Sequence, residues 1–289
     1  FSPDGLSGSS RRLMESSGMA KAAREAGAEL HFFEEAGWQA FYEDLPAAGP
    51  HWRRGLMMPN ILRSVDHIVL MPRCGRHVLA GSTLGLKAAV SYWRTDTRLE
   101  YHRDASTFQE KTAEGNTVAT LLRKQRLVLS AADRILVSFG PDRGQVIAPE
   151  NGLVMASVSV VAHDLVSLAW LIENRRRVTL TERETFVDTS GLVARAANHW
   201  VTHKLGGLGP AIASERLVKE PLRTVWDDRV LDRAFRIFGG VPLVELREAN
   251  DRIGAGVKHT LKEAVAFPPS SPSRPPRATS GIRPAVTNS

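Results

Sequence analysis

The sequence predicts an α/β protein, a single domain with a mostly parallel sheet and helices on both faces. Three observations predict it. Short, β-branched apolar runs at 65–71, 126–131, 135–139 and 154–161 read as buried strands. Helix-compatible stretches alternate with them, the order that covers a sheet from both sides. Several runs also stop on Pro, Gly or Asp, where a loop must begin. No internal repeat suggests another architecture.

Residues 10–27 carry Leu13, Met14, Met19, Ala22 and Ala26 near helical spacing, and Gly27 is placed to end that helix. The run 30–33 reads as a strand, and 37–54, rich in Trp, Pro and Gly, as an irregular connection. The strand 65–71 (VDHIVLM) ends at Pro72 and delivers a loop. Ser82 and Thr83 are placed to cap a helix over 84–93, and 106–125 is helix-compatible. The next two apolar runs are tightly linked and are broken by Gly140-Pro141-Asp142. The strand 154–161 leads to a helix over 164–175 with Asp164 as its N-cap. Further helices are expected at 182–204 and 227–238, with a weak strand at 241–246. The domain therefore takes residues 1–266. Ser, Pro, Arg and Thr dominate from Pro268, so 267–289 is expected to be a disordered tail.

The chain of 289 residues is 43% hydrophobic and 24% charged, an ordinary globular balance with ample material for a core. Its single cysteine, Cys74, excludes a disulfide framework, a cysteine-ligated iron–sulfur cluster and cysteine-built structural zinc. No apolar run reaches the ~18 residues of a membrane span, so a reduced cytoplasmic compartment is expected. The sequence begins at Phe1 and not at Met, so residues are expected to be missing upstream, and the absence of a targeting segment here carries no information. A net charge of +7 admits anionic partners, yet it is arginine scattered among acids, which argues against nucleic acid.

That charge is local. Residues 51–126 hold 13 Lys and Arg against 6 Asp and Glu, an excess equal to the whole chain's. At its centre is PRCGRHVLAGSTLGLK, residues 72–87, where Arg73, Arg76, His77 and Lys87 surround a turn that runs into a Ser/Thr-capped helix. Turn amides, a helix start and arginine forks all suit a small anion, although a solvated basic loop has equal claim on composition. No phosphate-loop or dinucleotide glycine pattern is present. Within RTDTRLEYHRD, residues 94–104, a carboxylate from Asp96, Glu100 or Asp104 could orient His102, against the plainer reading of a surface ladder of charges. His163-Asp164 stands where a strand ends and is read as a base or a metal ligand, or as a cap with an incidental neighbour. His199 and His203 share a helix face without a third ligand nearby, and Cys74 between two arginines is read as a buried structural thiol before a reactive one.

The stretch VDHIVLMPRCGRHVLAGSTLGLKAAV resembles the core signature of the domain of unknown function 362 family. RLVLSAADRILVSFGPDRG and VVAHDLVSLAWL resemble its later blocks, so that the likeness spans residues 14–175. His77, Lys87, Gly140, Pro141 and Asp164 match that pattern position for position. Gly75 stands where many members carry lysine, Ala88 where asparagine is common, and Ala131 and Ala169 where aspartate is frequent. The usual first strand is absent before Phe1, and so are the cysteines of an appended ferredoxin-type module. The segment from His77 to Lys87 is also similar to the cofactor-attachment segment of lactate racemase. That similarity implies His77 as a base, Lys87 as the carrier of a nickel pincer nucleotide, and His102 as an approximate nickel ligand.

The expected function is thus an enzyme-like protein that binds a small anionic ligand at the 72–104 loops. Arg73 and Arg76 would hold the anion, with Ser82, Thr83, Gly140 and Pro141 lining the site. His77 would transfer a proton, Lys87 would anchor substrate or cofactor, and Asp164 and His102 would assist. The alternative is a non-catalytic binding or scaffold subunit that keeps the fold.

Overall fold

The computed structural model describes residues 9–77, 80–103, 107–138, 144–178 and 222–266, and structural statements refer to these. The helix at 182–204, the tail at 267–289, Gly140, Pro141, Asp104, His199 and His203 all lie outside the described residues.

Gly18 at φ 79° divides the predicted first helix into α1 (Ser10–Ser16) and α2 (Met19–Glu25), and Gly27 at φ 81° ends the second as expected. The strand expected at 30–33 does not form. Glu34 accepts from the Ser10 amide at 2.7 Å and Arg11 grips Glu35 through two nitrogens, which draws Phe33–Ala36 onto α1 as a 3-10 turn. Inside the stretch read as irregular, β1 (Phe41–Asp44) pairs antiparallel with β2 (Leu56–Pro59). A short α3 (Ile61–Ser64) follows.

Two further sheets form. In one, β3 (Ile68–Leu70) runs parallel to β6 (Gln125–Ala132), and β6 runs antiparallel to β9 (Leu153–Ser157). In the other, β4 (Gly75–His77) lies between β5 (Gly81–Thr83), antiparallel, and β7 (Ile135–Leu136), parallel, while β7 pairs antiparallel with β8 (Val146–Ile147). The sheets are therefore mixed, where a mostly parallel sheet was expected. For β4 and β5 the reason is connection length, because a parallel pair needs a crossover and the link between them is short enough only for a hairpin. Gly81 supplies the positive φ of 85° at the end of that link.

Between the strands lie α4 (Gly85–Ala88), the 3-10 turn Ala89–Tyr92, α5 (Thr95–Arg103), α6 (Phe108–Glu114) and α7 (Ala119–Lys124). The Lys124 ammonium donates to the carbonyls of Leu62, Arg63 and Val65, each at 2.8 Å, and so satisfies the end of α3. The longest helix, α8 (Val160–Arg176), packs on β6 and β9 and buries Leu165, Leu168 and Leu171 among Ile68, Leu70, Val128 and Leu153. Its N-cap is Ser159, whose hydroxyl accepts from the Ala162 amide at 3.2 Å. Asp164, expected at the cap, is buried one turn inside the helix. Helices were expected on both faces of the sheet. Among the described residues α8 covers one, and Val69, Met71 and Val154 are exposed on the other.

Past residue 221, α9 (Arg229–Ile237) and α10 (Ala255–Val265) are present, and 241–246 forms no strand. The α9 helix packs on α6 and is fastened there by charge. The fully buried Glu114 accepts from His51 Nδ1 at 2.6 Å and from Arg233 at 2.7 Å, and Arg229 reaches Glu110 at 2.6 Å. No helix among the described residues is long and apolar enough to cross a membrane.

Candidate functional site

The β4–β5 hairpin sorts the basic cluster that the sequence gathers into one loop. Gly75 faces Thr83, Arg76 faces Ser82 and His77 faces Gly81, and successive side chains of a strand point to opposite faces. Arg76 and His77 are therefore directed apart. Burial pulls the Arg76 guanidinium down to about 10, Arg175 adding to the fall and Asp228 opposing it. Arg73 is exposed.

Lys87 stands on α4, a helix too short to hold itself. The expected cap from Ser82 and Thr83 is absent, since both belong to β5 and Leu84 at the N-cap makes no side-chain bond. The cap comes from Asp164, whose two oxygens accept from the amides of Gly85 and Leu86, each at 2.7 Å. Asn116 Nδ2 donates to the Leu86 carbonyl at 2.8 Å from the other side. Behind Asp164, the His163 Nδ1 lies 3.0 Å from its carboxylate and the His163 Nε2 lies 2.8 Å from the Ser130 hydroxyl. A Cβ on Gly85 would stand 2.7 Å from Asp164 Oδ1 and 2.9 Å from Val160 Cγ2, so only glycine lets the carboxylate approach.

Held this way, Lys87 reaches the aromatic pair against which both histidines of the predicted site lie. Its ammonium lies 5.6 Å from the Tyr101 ring centre. Tyr101 stacks on Phe108 at 4.0 Å, and its hydroxyl is held 2.5 Å from that of Thr112. His102 touches both rings, at 4.9 Å and 5.4 Å, and His77 stacks on Phe108 at 6.2 Å. His77 and Lys87 are only 6% and 9% exposed, and His102 is half-buried. Burial, then Lys87, His102 and Arg76 in turn, hold His77 well below the ordinary imidazole value. Burial and Lys87 bring His102 down to about 4, although its bond to the Arg98 carbonyl resists. Both rings are thus neutral near pH 7. The Ala80 amide donates to His77 Nδ1 at 3.1 Å, and His102 Nδ1 lies 2.6 Å from the Arg98 oxygen.

Two of the three carboxylates expected to orient His102 are described, and both have other partners. Asp96 pairs with Arg94 at 2.8 Å and Glu100 accepts from the Arg53 amide at 2.8 Å, as the surface reading holds. Cys74 is buried, its thiol pushed up to about 12 by burial and then by Asp164, which agrees with a structural role. Ala131 is exposed on β6 and Ala169 is buried within α8. Among the described residues no three His, Cys, Asp or Glu side chains are placed together to hold a metal ion.

The sequence reading passed over Asp228. It caps α9 through the Leu231 amide at 2.9 Å and lines, with Ser82, Lys87 and Asp164, a cavity of about 10 Å³. Burial raises its carboxyl to about 6, Asp164 adding and the Leu231 amide and Arg76 opposing. Its position just ahead of an apolar-periodic run was the readable signal. Tyr101 and Phe108, which bring the imidazoles together, carried no signal beyond being aromatic.

A family model described as Domain of unknown function (DUF362) matches residues 3–169, a span holding His77, Lys87, His102 and Asp164. No curated protein and no solved structure matches the chain.

Gly85→Ala is expected to destabilise the chain by about 2 kcal/mol or more, because neither neighbour of the new methyl can withdraw freely. Gly256→Ala, exposed in α10 with nothing within 4 Å of its Cβ, is expected to stabilise by about 0.5–1 kcal/mol. Urea midpoints of the two variants check the contrast. For pH, a depressed imidazole binds fewer protons folded than unfolded, so stability is full above the unfolded value near 6.5 and falls as pH drops toward 4. Asp228, raised from 3.8 to about 6, works the other way, but two imidazoles act against one carboxyl. Urea midpoints are therefore expected to fall from pH 7.5 to pH 5, and less steeply in His77→Gln/His102→Gln.

Proposed function

This chain belongs to the DUF362 family, and from the grouping of its basic side chains we propose that the site binds a small anion at Lys87 and moves a proton on it. The observation that carries the proposal is that Lys87, His77 and His102 converge on the Tyr101–Phe108 pair, with Lys87 the foremost charge acting on both imidazoles. An ammonium in poorly solvated surroundings attracts an anion far more strongly than one in water. Each neutral imidazole beside it keeps one lone-pair nitrogen, a proton acceptor that need not first lose a proton. Asp164 serves the site through the backbone, by fixing the turn that presents Lys87.

Acetate, pyruvate and inorganic phosphate titrated into the full chain test this. One of them is expected to shift the His77 and His102 Cε1–H resonances saturably, and Lys87→Gln is expected to weaken that binding at least tenfold while circular dichroism is unchanged. The proposal fails if none of the three moves these resonances, or if Lys87→Gln binds as the wild type does.

A further inference from the structure

A groove of about 430 Å³ opens between the N-terminal helical region and the β1–β2 hairpin, and it shares no lining residue with the Lys87 site. Its origin is local. Ser10 and Arg11 hold the 3-10 turn Phe33–Ala36 on α1, and Gly37 at φ 85° swings the chain from that turn toward β1. The Asn60 amide donates to the Ala40 carbonyl at 2.8 Å, which ties the start of α3 to the chain entering β1. Ala36 and Ala40, both on the lining, are too small to fill the space left between these two ties.

The lining is aromatic and aliphatic, and its charges cancel. Leu30, Phe32, Phe33 and Ile61 supply the apolar part, and Phe32 is buried. The Arg11 guanidinium lies over the Phe32 ring, 4.4 Å from its centre, and grips Glu35 at 2.8 Å and 2.6 Å. Such a fork-to-fork pair is planar and carries no net charge. His31 has its own carboxylate, Glu29, at 3.0 Å. That leaves the Asn60 carboxamide, whose side-chain contact among the described residues is a long one of 3.5 Å to the Gln39 carbonyl.

We propose that this groove is a further binding site, which takes a free, uncharged, planar aromatic molecule carrying a ring N–H. The inference goes beyond the anion site and does not rest on it. The volume falls within the about 300–1,000 Å³ of small-molecule sites, which join an apolar lining to a few polar groups. A flat ring suits the Phe32–Arg11 stack and the planar ion pair, since guanidinium and aromatic faces both accept a stacked ring. A charged ligand would lose water here without meeting a surplus of opposite charge. The ring N–H is assigned to the Asn60 oxygen, an acceptor with a lone pair to spare. A protein partner would cover about 800 Å² of surface, whereas the concavity takes one ring system.

Indole, indole-3-acetate and tryptamine share one ring system and differ in charge, so titrating each into the full chain tests the site. Indole is expected to shift the Leu30, Ile61, Ala36 and Ala40 methyl resonances saturably and to give intermolecular Overhauser contacts to the Leu30 and Ile61 methyls. Each charged analogue is expected to bind at least threefold more weakly. Ala36→Trp, at an exposed position, should weaken indole binding at least tenfold by filling the groove. The Overhauser contacts use the wild type, so they stand even where that variant misfolds. Lys87→Gln should leave indole binding unchanged, which separates this site from the anion site. The proposal is overturned if indole shows no saturable shift, or if its contacts fall on other methyls. It is equally overturned if a charged analogue binds as tightly, if folded Ala36→Trp binds as the wild type does, or if Lys87→Gln alters indole binding.

Discussion

The site depends on one carboxylate meeting two amides. Asp164 accepts from Gly85 and Leu86 at the head of a four-residue helix that has no other side-chain cap. Such a helix cannot repay its own nucleation, so a buried partner must fix it. The donors and acceptor lie 79 and 78 residues apart in sequence, and the contact therefore joins the hairpin region to the core of α8. His163 and Ser130 extend this contact to β6, and Asn116 secures the Leu86 carbonyl from α6's side. Lys87 is placed by this frame, and after burial it is the charge that most depresses both imidazoles.

Strands and helices whose cause is local were legible from sequence. The runs at 65–71, 126–131 and 154–161 contain β3, most of β6 and most of β9, because β-branched apolar residues suit a packed sheet. The helix expected at 227–238 is α9, give or take two residues. Elements made by distant partners were hidden. Gly75–His77 and Gly81–Thr83 show no apolar alternation, and they are strands only because β7 and the hairpin turn pair them. The apolar run at 30–33 looks like a strand until Arg11 and Ser10 take hold of the glutamates that follow it.

The same divide runs through the site. His77, Lys87 and Asp164 were singled out from the segment pattern, and two of them meet with His102 around Phe108 and Tyr101. Asp164 was chosen as a cap of the wrong helix, because a residue's capping partner is not written beside it. Strand alternation, invisible while the hairpin is read as a loop, separates Arg76 from His77. Asp228 enters from α9, beyond the span of the family match, and its link to Arg76 and Asp164 is purely tertiary.

That burial, with Lys87 as the foremost charge beside it, holds both imidazoles neutral is the central claim, and direct titration of the two rings tests it. The Cε1–H resonances of His77 and His102 would be followed from pH 8 to pH 4 in the wild type and in Lys87→Met. Wild-type rings that both titrate well below the ordinary 6.5, His102 near 4, with both midpoints rising in Lys87→Met, are the predicted result. Rings that titrate near 6.5 in the wild type, or midpoints that Lys87→Met leaves in place, would contradict it.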